Sequence, residues 1–109
     1  MRIFLIGFMG SGKSHVGRQL AASMGMDFLD LDVQIEKDQQ RSIRQIFEQE
    51  GEATFRQIER EALHHLVLQE NLIVACGGGT PCFFDNMDWM NKQGITIYLQ
   101  TPVSILVQR

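Results

Sequence analysis

The chain has 109 residues, of which 44% are hydrophobic and 21% are charged. This is material for one globular core, so residues 1–109 are treated as a single domain. The 13 Asp and Glu exceed the 10 Lys and Arg, and the formal net charge of −3 argues against a nucleic-acid partner held by a basic surface. The longest apolar runs, 3–6 and 72–76, are far shorter than the roughly 20 residues that span a bilayer, so we expect no membrane contact.

The N-terminus and the cysteines indicate a compartment. Arg2 precedes the short apolar run 3–6, which lacks the apolar length and the cleavage site of a secretory signal. Cys76 and Cys82 are spaced neither as a Cys-x-x-Cys motif nor as a disulfide framework. We therefore expect a cytoplasmic protein with two ordinary reduced thiols.

Hydrophobic periodicity, capping residues and glycine stops divide the chain into alternating strands and helices. Val16, Leu20 and Met24 recur at helical spacing, and Ser42 with Gln45 forms a capping box. In chain order we predict a strand at 2–6, a helix at 12–24, a strand at 27–31, a helix at 32–40, a helix from 42 that Gly51 ends, a long helix at 52–69, a strand at 72–76, a weak helix at 83–92 and a strand at 95–99. This alternation predicts an α/β fold, with a parallel sheet between two helix layers.

The last residues predict a helix that begins and is not completed. Thr101 and Pro102 are favoured residue types for the N-cap and the first helical position, and an apolar face starts within 103–107 before the chain stops at Arg109. We therefore expect a truncated piece of a longer domain. Its strand at 95–99 would be an open edge that invites association with other chains.

Residues 7–14 read Gly-Phe-Met-Gly-Ser-Gly-Lys-Ser, a complete Gly-x-x-x-x-Gly-Lys-Ser phosphate-binding loop between a strand and a helix. The glycines let the backbone wrap around a phosphate, and the amides of the loop donate to its oxygens. Lys13 supplies a positive charge at the β/γ bridge, and Ser14 is predicted to hold Mg²⁺. The predicted nucleotide-binding residues are Gly10, Ser11, Gly12, Lys13, Ser14 and, through its backbone amide, His15.

Two carboxylates, Asp30 and Asp32, lie at the C-terminal end of the second predicted strand. Residues two apart on a strand share one side, and the carboxyl end of a parallel sheet is where ligands bind. One acid can orient Mg²⁺ through water, and the other can accept a proton from an attacking hydroxyl. The plainer interpretation is that Asp32 caps the next helix and Asp30 is a surface acid.

Two further motifs carry less specific signals. Gly77, Gly78 and Gly79 follow the third predicted strand and suggest close approach of the backbone to a ligand, although a flexible turn is the alternative. Arg56 offers a two-point grip on a carboxylate, and Glu59, one helical turn on, can brace it. Taken alone, an exposed Arg/Glu pair is the simpler interpretation.

Together these four elements resemble shikimate kinase, a family of P-loop small-molecule kinases, over the whole chain. The resemblance implies Mg²⁺-dependent phosphoryl transfer from ATP to the 3-hydroxyl of shikimate, in the biosynthesis of aromatic amino acids. It implies Lys13 and Asp32 as catalytic residues, Ser14 and Asp30 at the magnesium, and Asp32 and Arg56 on the substrate. It also implies Gly77, Gly78 and Gly79 as substrate-facing glycines, and Phe47 and Phe55 as pocket walls, with core packing a nearly equal alternative for both.

The family pattern continues through an arginine-bearing lid, a fifth strand and an adenine-binding loop, which are not found before Arg109. We therefore expect a P-loop three-layer sandwich truncated before the lid and the fifth strand. Such a piece is expected to be inactive by itself, and the full-length protein is expected to be a monomer. Two alternatives stay open: another small P-loop kinase, such as a gluconate kinase, and a module that only binds nucleotide or a partner.

Overall fold

A computed structural model describes residues 1–7, 12–77, 79–101 and 104–108. Strands and helices alternate along most of this length, as the sequence predicts. Short 3₁₀ turns follow two of the elements, at Leu66–Leu68 and Thr80–Cys82. The strands and helices are β1 (Arg2–Gly7), α1 (Gly12–Met24), β2 (Asp27–Asp30), α2 (Leu31–Gln39), α3 (Ile43–His65), β3 (Leu72–Ala75), α4 (Asn86–Gln93), β4 (Ile95–Thr101) and β5 (Ser104–Gln108).

The sheet has the strand order β2-β3-β1-β4-β5, and its first four strands are parallel. β1 lies in the middle because its residues 3–6 are apolar on both faces, and each is at most 3% exposed. Phe4 and Ile6 pack against residues of α2, α3 and α4, whereas Ile3 and Leu5 pack against α1. The predicted α/β fold with helices on both faces of the sheet is confirmed.

The carboxyl ends of three strands meet at one edge of the sheet. Leu5 of β1 and Asp30 of β2 both align with Ala75 of β3, which lies between them. The segments that follow these strands therefore start side by side, and they contain the phosphate-loop sequence, the acids at 30 and 32, and the glycine triplet. Ligands of open α/β sheets bind at such an edge.

The two helices predicted on either side of Gly51 are joined into the single element α3. Gly51 has non-helical backbone angles, φ 83° and ψ 172°, which interrupt α3 and divide it into two helical segments at the predicted position. The capping box of Ser42 and Gln45 is present at its start. α3 is the longest helix, and no helix in the described part of the chain is long and apolar enough to cross a membrane.

The prediction of a helix starting at Thr101 is wrong. Thr101 is the last residue of β4, and β5 returns antiparallel to it, with Thr101 opposite Ser104 and Thr96 opposite Gln108. The open edge predicted for the strand at 95–99 is therefore also wrong, because β5 covers it. An unpaired strand edge presents N–H and C=O groups that need partners, and the β-branched Ile105 and Val107 favour a strand. Residues 102, 103 and 109 lie outside the described residues.

Both cysteines are free, in agreement with the prediction of reduced thiols. Cys76 is buried, and its Sγ lies 3.9 Å from Sδ of Met90. Burial raises the pKa of the Cys76 thiol well above its usual range, so this residue acts as a small apolar side chain. Cys82 is exposed.

Gly94, between α4 and β4, is required by a close approach of two backbone segments. A Cβ at this position would overlap the carbonyl oxygen of Arg2 in the neighbouring strand β1. We predict that Gly94→Ala lowers the free energy of unfolding by about 1–3 kcal/mol, because the two strands must separate locally. Urea denaturation measures this change, with Gln93→Ala at the partly exposed neighbouring position as control. Equal stability of Gly94→Ala and the control would contradict the close approach.

Candidate active site

Lys13 is held in the first turn of α1, beside the end of β1. Its side chain is buried, and Nζ donates a hydrogen bond of 3.0 Å to the carbonyl oxygen of Gly7. Burial lowers the pKa of the Lys13 ammonium, and the acidic groups of Cys76, Asp32 and Asp30 act in the opposite direction. A partly desolvated cation is suited to an anionic ligand, because a phosphate would restore the interactions that burial removes.

Asp30 connects α1 to α2. Oγ of Ser14 donates to Oδ2 of Asp30 over 2.7 Å, and Oδ1 accepts from the backbone N–H of Val33 over 3.2 Å. Asp30 is therefore the N-cap of α2, the role that the plainer interpretation of the sequence gave to Asp32. The same side chain fixes the Ser14 hydroxyl at the start of α1.

Asp32 lies in the first turn of α2 and not on a strand, because β2 ends at Asp30. The prediction that the two acids share one side of a strand is wrong in this respect, although both still face the same edge of the sheet. The carboxylate of Asp32 lies directly against the glycine segment, since a Cβ on Gly77 would be 3.2 Å and 3.3 Å from its two oxygens. Asp32 is thus near the end of β3 as well as the end of β2.

The electrostatic surroundings of Asp32 favour its protonated form. Burial raises the pKa of its carboxyl, the negative charges of Asp30 and Glu59 raise it further, and Lys13 opposes them. A carboxylate with a raised pKa is a stronger base than an ordinary aspartate. The surroundings of Asp32 therefore suit the predicted role of accepting a proton from a hydroxyl.

Arg56 on α3 is mostly buried, and one end of its guanidinium is fixed. Nη1 donates to Oε1 and Oε2 of Glu59 over 3.1 Å and 3.3 Å, and Glu59 is itself 1% exposed. The ion pair predicted between these two residues is confirmed, and its simpler interpretation as an exposed pair is wrong. The guanidinium carbon also lies 4.1 Å from the ring centre of Phe83, a cation–π contact.

The other edge of the Arg56 guanidinium is held less firmly. Nε is buried and has no hydrogen-bond partner among residues 1–7, 12–77, 79–101 and 104–108. Nη2 is 3.9 Å from the exposed Glu52 and would be only 2.8 Å from a Cβ on Gly79. The hydrogens of Nε and Nη2 point in the same direction and form the fork that matches a carboxylate. A buried donor without a partner is costly, which is a reason to expect a ligand there.

The structure brings most of the predicted site residues together. Gly77 lies against Asp32 and Gly79 against Arg56, where a side chain on either glycine would meet the functional group. Gly12 begins α1 next to Lys13 and Ser14. His15 is exposed on α1, so the role predicted for its backbone amide stays a prediction. Gly10, Ser11 and Gly78 lie outside the described residues.

The two predicted pocket walls differ in their surroundings. The rings of Phe47 and Phe55 are 4.8 Å apart. Phe55 is 3% exposed and belongs to the core, which supports the core-packing alternative for this residue. Phe47 is only partly buried against the same cluster.

Sequence analysis did not predict a role for three residues that contact Arg56 or support its partner Glu59. Phe83 contacts the guanidinium, Thr80 donates from Oγ1 to Oε2 of Glu59 over 2.7 Å, and Asn86 donates from Nδ2 to the carbonyl oxygen of Thr80 over 2.9 Å. The only available signal was that Thr80 follows the glycine triplet directly. Phe83 and Asn86 carry no local motif, and both are far from Arg56 in sequence.

Ser14 and Asp30 fit a magnesium ion. Mg²⁺ prefers oxygen ligands and keeps several waters, so it is usually bound through one or two protein groups together with substrate phosphates. A hydroxyl and a carboxylate oxygen that lie 2.7 Å apart beside the phosphate-loop sequence provide such a set. The described residues contain no group of three or more His, Cys, Asp or Glu side chains that could hold a metal by themselves.

A parallel sheet with helices on both faces, a Gly-x-x-x-x-Gly-Lys-Ser sequence between β1 and α1, and acids at the adjacent strand end define an α/β protein of the P-loop class. Comparison with family models matches residues 9–109 to the family described as shikimate kinase. The chain therefore belongs to the shikimate kinase family.

Individual relatives support this assignment. The chain is 47% identical over 108 residues to a shikimate kinase of Parabacteroides distasonis and 41% identical over 109 residues to one of Bacteroides thetaiotaomicron. It covers 62% of the length of each, and these matches include 99% and 100% of this chain. The chain thus spans less than two thirds of the curated relatives that it matches.

Solved structures agree in fold. A shikimate kinase from Bacteroides thetaiotaomicron matches with a TM-score of 0.88 at 43% identity, over 92% of this chain and 59% of that one. A shikimate kinase from Acinetobacter baumannii in complex with shikimate matches with a TM-score of 0.87 at 43% identity, over 94% and 57% of the two chains. These values show that the α/β core described above has the arrangement found in the family.

The surroundings of Asp32 generate a prediction about its titration. Its carboxyl should titrate at a pH above the ordinary value of 3.8, because burial and the nearby carboxylates disfavour its charged form. Carbon-13 NMR of the aspartate carboxyl carbons measures this, and the signal of Asp32 is assigned by its loss in Asp32→Asn. A midpoint at or below 3.8 would mean that Lys13 dominates the local field.

Proposed function

We propose that this protein transfers the γ-phosphoryl group of ATP to the 3-hydroxyl of shikimate, with Mg²⁺ as cofactor, in the biosynthesis of aromatic amino acids. The observation that carries the proposal is the unpartnered edge of Arg56. A buried guanidinium whose Nε has no partner in the described part of the chain, close to Asp32 and the glycine segment, suits a ligand with both a carboxylate and a hydroxyl.

Substrate binding is assigned to Arg56 and the glycines. The fork of Nε and Nη2 would grip the carboxylate of shikimate at two points, while Glu59 holds Nη1. Gly77, Gly78 and Gly79 would let the ring approach the backbone closely, since side chains there would fill the space beside Asp32 and Arg56. The complex of the Acinetobacter baumannii relative with shikimate supports the choice of this ligand.

The reacting hydroxyl is assigned to Asp32. This carboxylate would orient the hydroxyl and accept its proton as the new O–P bond forms, and its raised pKa supports that role. Phosphoryl transfer needs alignment and control of charge more than covalent participation by the protein. Asp32 and the Arg56 fork, on two different helices, would together determine which hydroxyl of the substrate is aligned.

ATP is assigned to the start of α1. Gly10, Ser11, Gly12 and His15 would donate backbone N–H groups to the phosphates, and Lys13 would exchange its contact with Gly7 for a phosphate oxygen. Ser14 and Asp30 would hold Mg²⁺, which neutralises phosphate charge when bound. We propose a cytoplasmic location, where ATP is supplied, and a monomer with no nucleic-acid partner.

The test is ADP release by the purified full-length protein, because residues 1–109 by themselves are expected to be inactive. The protein is given ATP, Mg²⁺ and each of shikimate, quinate and gluconate, and calorimetric titration measures the binding of shikimate. We expect turnover and binding with shikimate in clear preference to the other two. A preference for gluconate would indicate a different small-molecule kinase. If the protein binds nucleotide but neither binds shikimate nor releases ADP, it is better described as a module that only binds nucleotide.

Replacement of Lys13 tests the nucleotide site. Lys13→Ala should lower the rate of phosphoryl transfer by about 10²–10³-fold, because the charge that develops on the phosphates loses its cation. Steady-state kinetics measures this loss, with Lys37→Ala as control, since Lys37 is exposed on α2. Equal rates in the two variants would count against the phosphate-loop assignment.

Replacement of Arg56 tests the carboxylate fork. Arg56→Lys should raise the KM for shikimate about tenfold or more, because an ammonium cannot form the planar two-point contact. The KM for ATP should not change. Arg44→Lys is the control, since Arg44 is exposed in its pair with Glu48. An unchanged KM for shikimate in Arg56→Lys would place the carboxylate elsewhere.

A further inference from the structure

We propose that Thr80 is the positioning residue of the carboxylate fork: its hydroxyl fixes Glu59, and Glu59 in turn fixes Arg56 for the substrate carboxylate. This inference rests on the proposed function, in which Arg56 binds shikimate. Thr80 itself has no direct part in substrate binding. Its effect passes through two buried side chains.

The hydroxyl of Thr80 donates its hydrogen bond to Glu59. Thr80 is fully buried, and its Oγ1 donates to Oε2 of Glu59 over 2.7 Å. Oε2 also accepts from Nη1 of Arg56 over 3.3 Å, and Oε1 accepts from the same nitrogen over 3.1 Å. An ionised carboxylate can only accept, so the single hydroxyl proton of Thr80 must point at Glu59. The carboxylate is therefore held from two directions.

The backbone of Thr80 is fixed on both sides, which makes its hydroxyl a firm anchor. Its N–H donates to the carbonyl oxygen of Gly77 over 3.2 Å, and its own carbonyl oxygen accepts from Nδ2 of Asn86 over 2.9 Å. Asn86 is fully buried in the first turn of α4. The position of Oγ1 is thus determined by the turn after β3 and by α4, and not by α3, which carries Glu59 and Arg56.

The Thr80 hydroxyl also determines which of two neighbouring acids pairs with Arg56. Glu52 lies one helical turn before Arg56, with its oxygen 3.9 Å from Nη2, and its side chain is 60% exposed. Glu59 lies on the buried side of the same guanidinium. Without the Thr80 hydroxyl, the carboxylate of Glu59 loses a charge-assisted hydrogen bond and is free to turn. Arg56 then shifts toward Glu52, and the fork of Nε and Nη2 leaves the substrate site.

The glycine segment links this anchor to the reacting group. A Cβ on Gly77 would be 3.4 Å from Oγ1 of Thr80 and 3.2 Å from an oxygen of Asp32. The hydroxyl that positions the carboxylate fork and the carboxylate assigned to the reacting hydroxyl therefore both lie beside the space that a side chain on Gly77 would fill.

The experiment compares Thr80→Val, Thr80→Ala and Thr80→Ser with Thr96→Val. Thr96 is the matched control, because it is also a fully buried threonine and its Oγ1 has no hydrogen-bond partner in the described ranges. Calorimetry measures the Kd of shikimate and of ATP, and thermal unfolding measures stability. Thr80→Ala covers the case in which the valine methyl prevents folding.

We expect Thr80→Val and Thr80→Ala to raise the Kd of shikimate about tenfold or more, as for loss of a hydrogen bond to a charged group, with the Kd of ATP unchanged. Thr80→Ser should restore binding to within about threefold of the original protein, and Thr96→Val should have no effect on it. Adding Glu52→Gln to Thr80→Val should recover part of the affinity, because the competing acid is removed.

Unchanged shikimate affinity in Thr80→Val and Thr80→Ala would overturn the inference. The inference would also be overturned if the Thr80 variants lost affinity for ATP and shikimate equally and Thr80→Ser did not restore it. A structural defect alone produces that pattern. Failure of the original protein to bind shikimate would instead refute the proposed function. In that case nitrogen-15 NMR of the arginine Nε–H groups without ligand decides. A positioning role of Thr80 predicts that the Arg56 signal shifts in Thr80→Val and keeps its original position in Thr80→Ser and Thr96→Val, and an unshifted signal in Thr80→Val would overturn the inference.

Discussion

The buried carboxylate of Glu59 is the constraint on which the site depends. A charge that is 1% exposed is tolerated only where it is paired and hydrogen-bonded. Here Arg56, one turn earlier on the same helix, and Thr80, in the turn after β3, meet that need. Removal of one partner from such a pair costs about 3–5 kcal/mol. The turn after β3 and the helix α3 are therefore held together by polar contacts, and the same contacts fix one edge of the Arg56 guanidinium.

A second cluster of charges lies where α1 and α2 begin. Asp30 caps α2 and accepts from Ser14, while burial disfavours the charged forms of both Lys13 and Asp32. The charged forms of Lys13 and Asp32 are held in surroundings less favourable than water, which is typical of sites that function rather than sites that only stabilise. A bound nucleotide with its magnesium would bring charges of both signs to this place and would supply the missing interactions.

The limits of prediction from sequence are clearest at Asp32 and at the chain end. Asp32 was identified as a site residue from its spacing, yet it was placed on a strand because the helix was expected one residue later than it begins. The residues from 101 onward have a good helix-start pattern, but β4 presented an edge that needed hydrogen-bond partners, and β5 supplied them. At Asp32 only the boundary of a correctly predicted helix was displaced, whereas at the chain end the local preference for a helix was overruled by the pairing of β5 with β4.

The sequence by itself determined the parallel α/β fold, the phosphate-loop motif, the acids at 30 and 32 and the pairing of Arg56 with Glu59. These features arise from periodicity, capping and spacing within a few residues, which act on the backbone locally. Only the tertiary structure decided that Asp30 accepts a hydrogen bond from Ser14, that Phe83 contacts Arg56, and that Thr80 and Asn86 secure Glu59. These contacts join residues from different elements, so they exist only after the helices have packed on the sheet and brought the ends of its strands together.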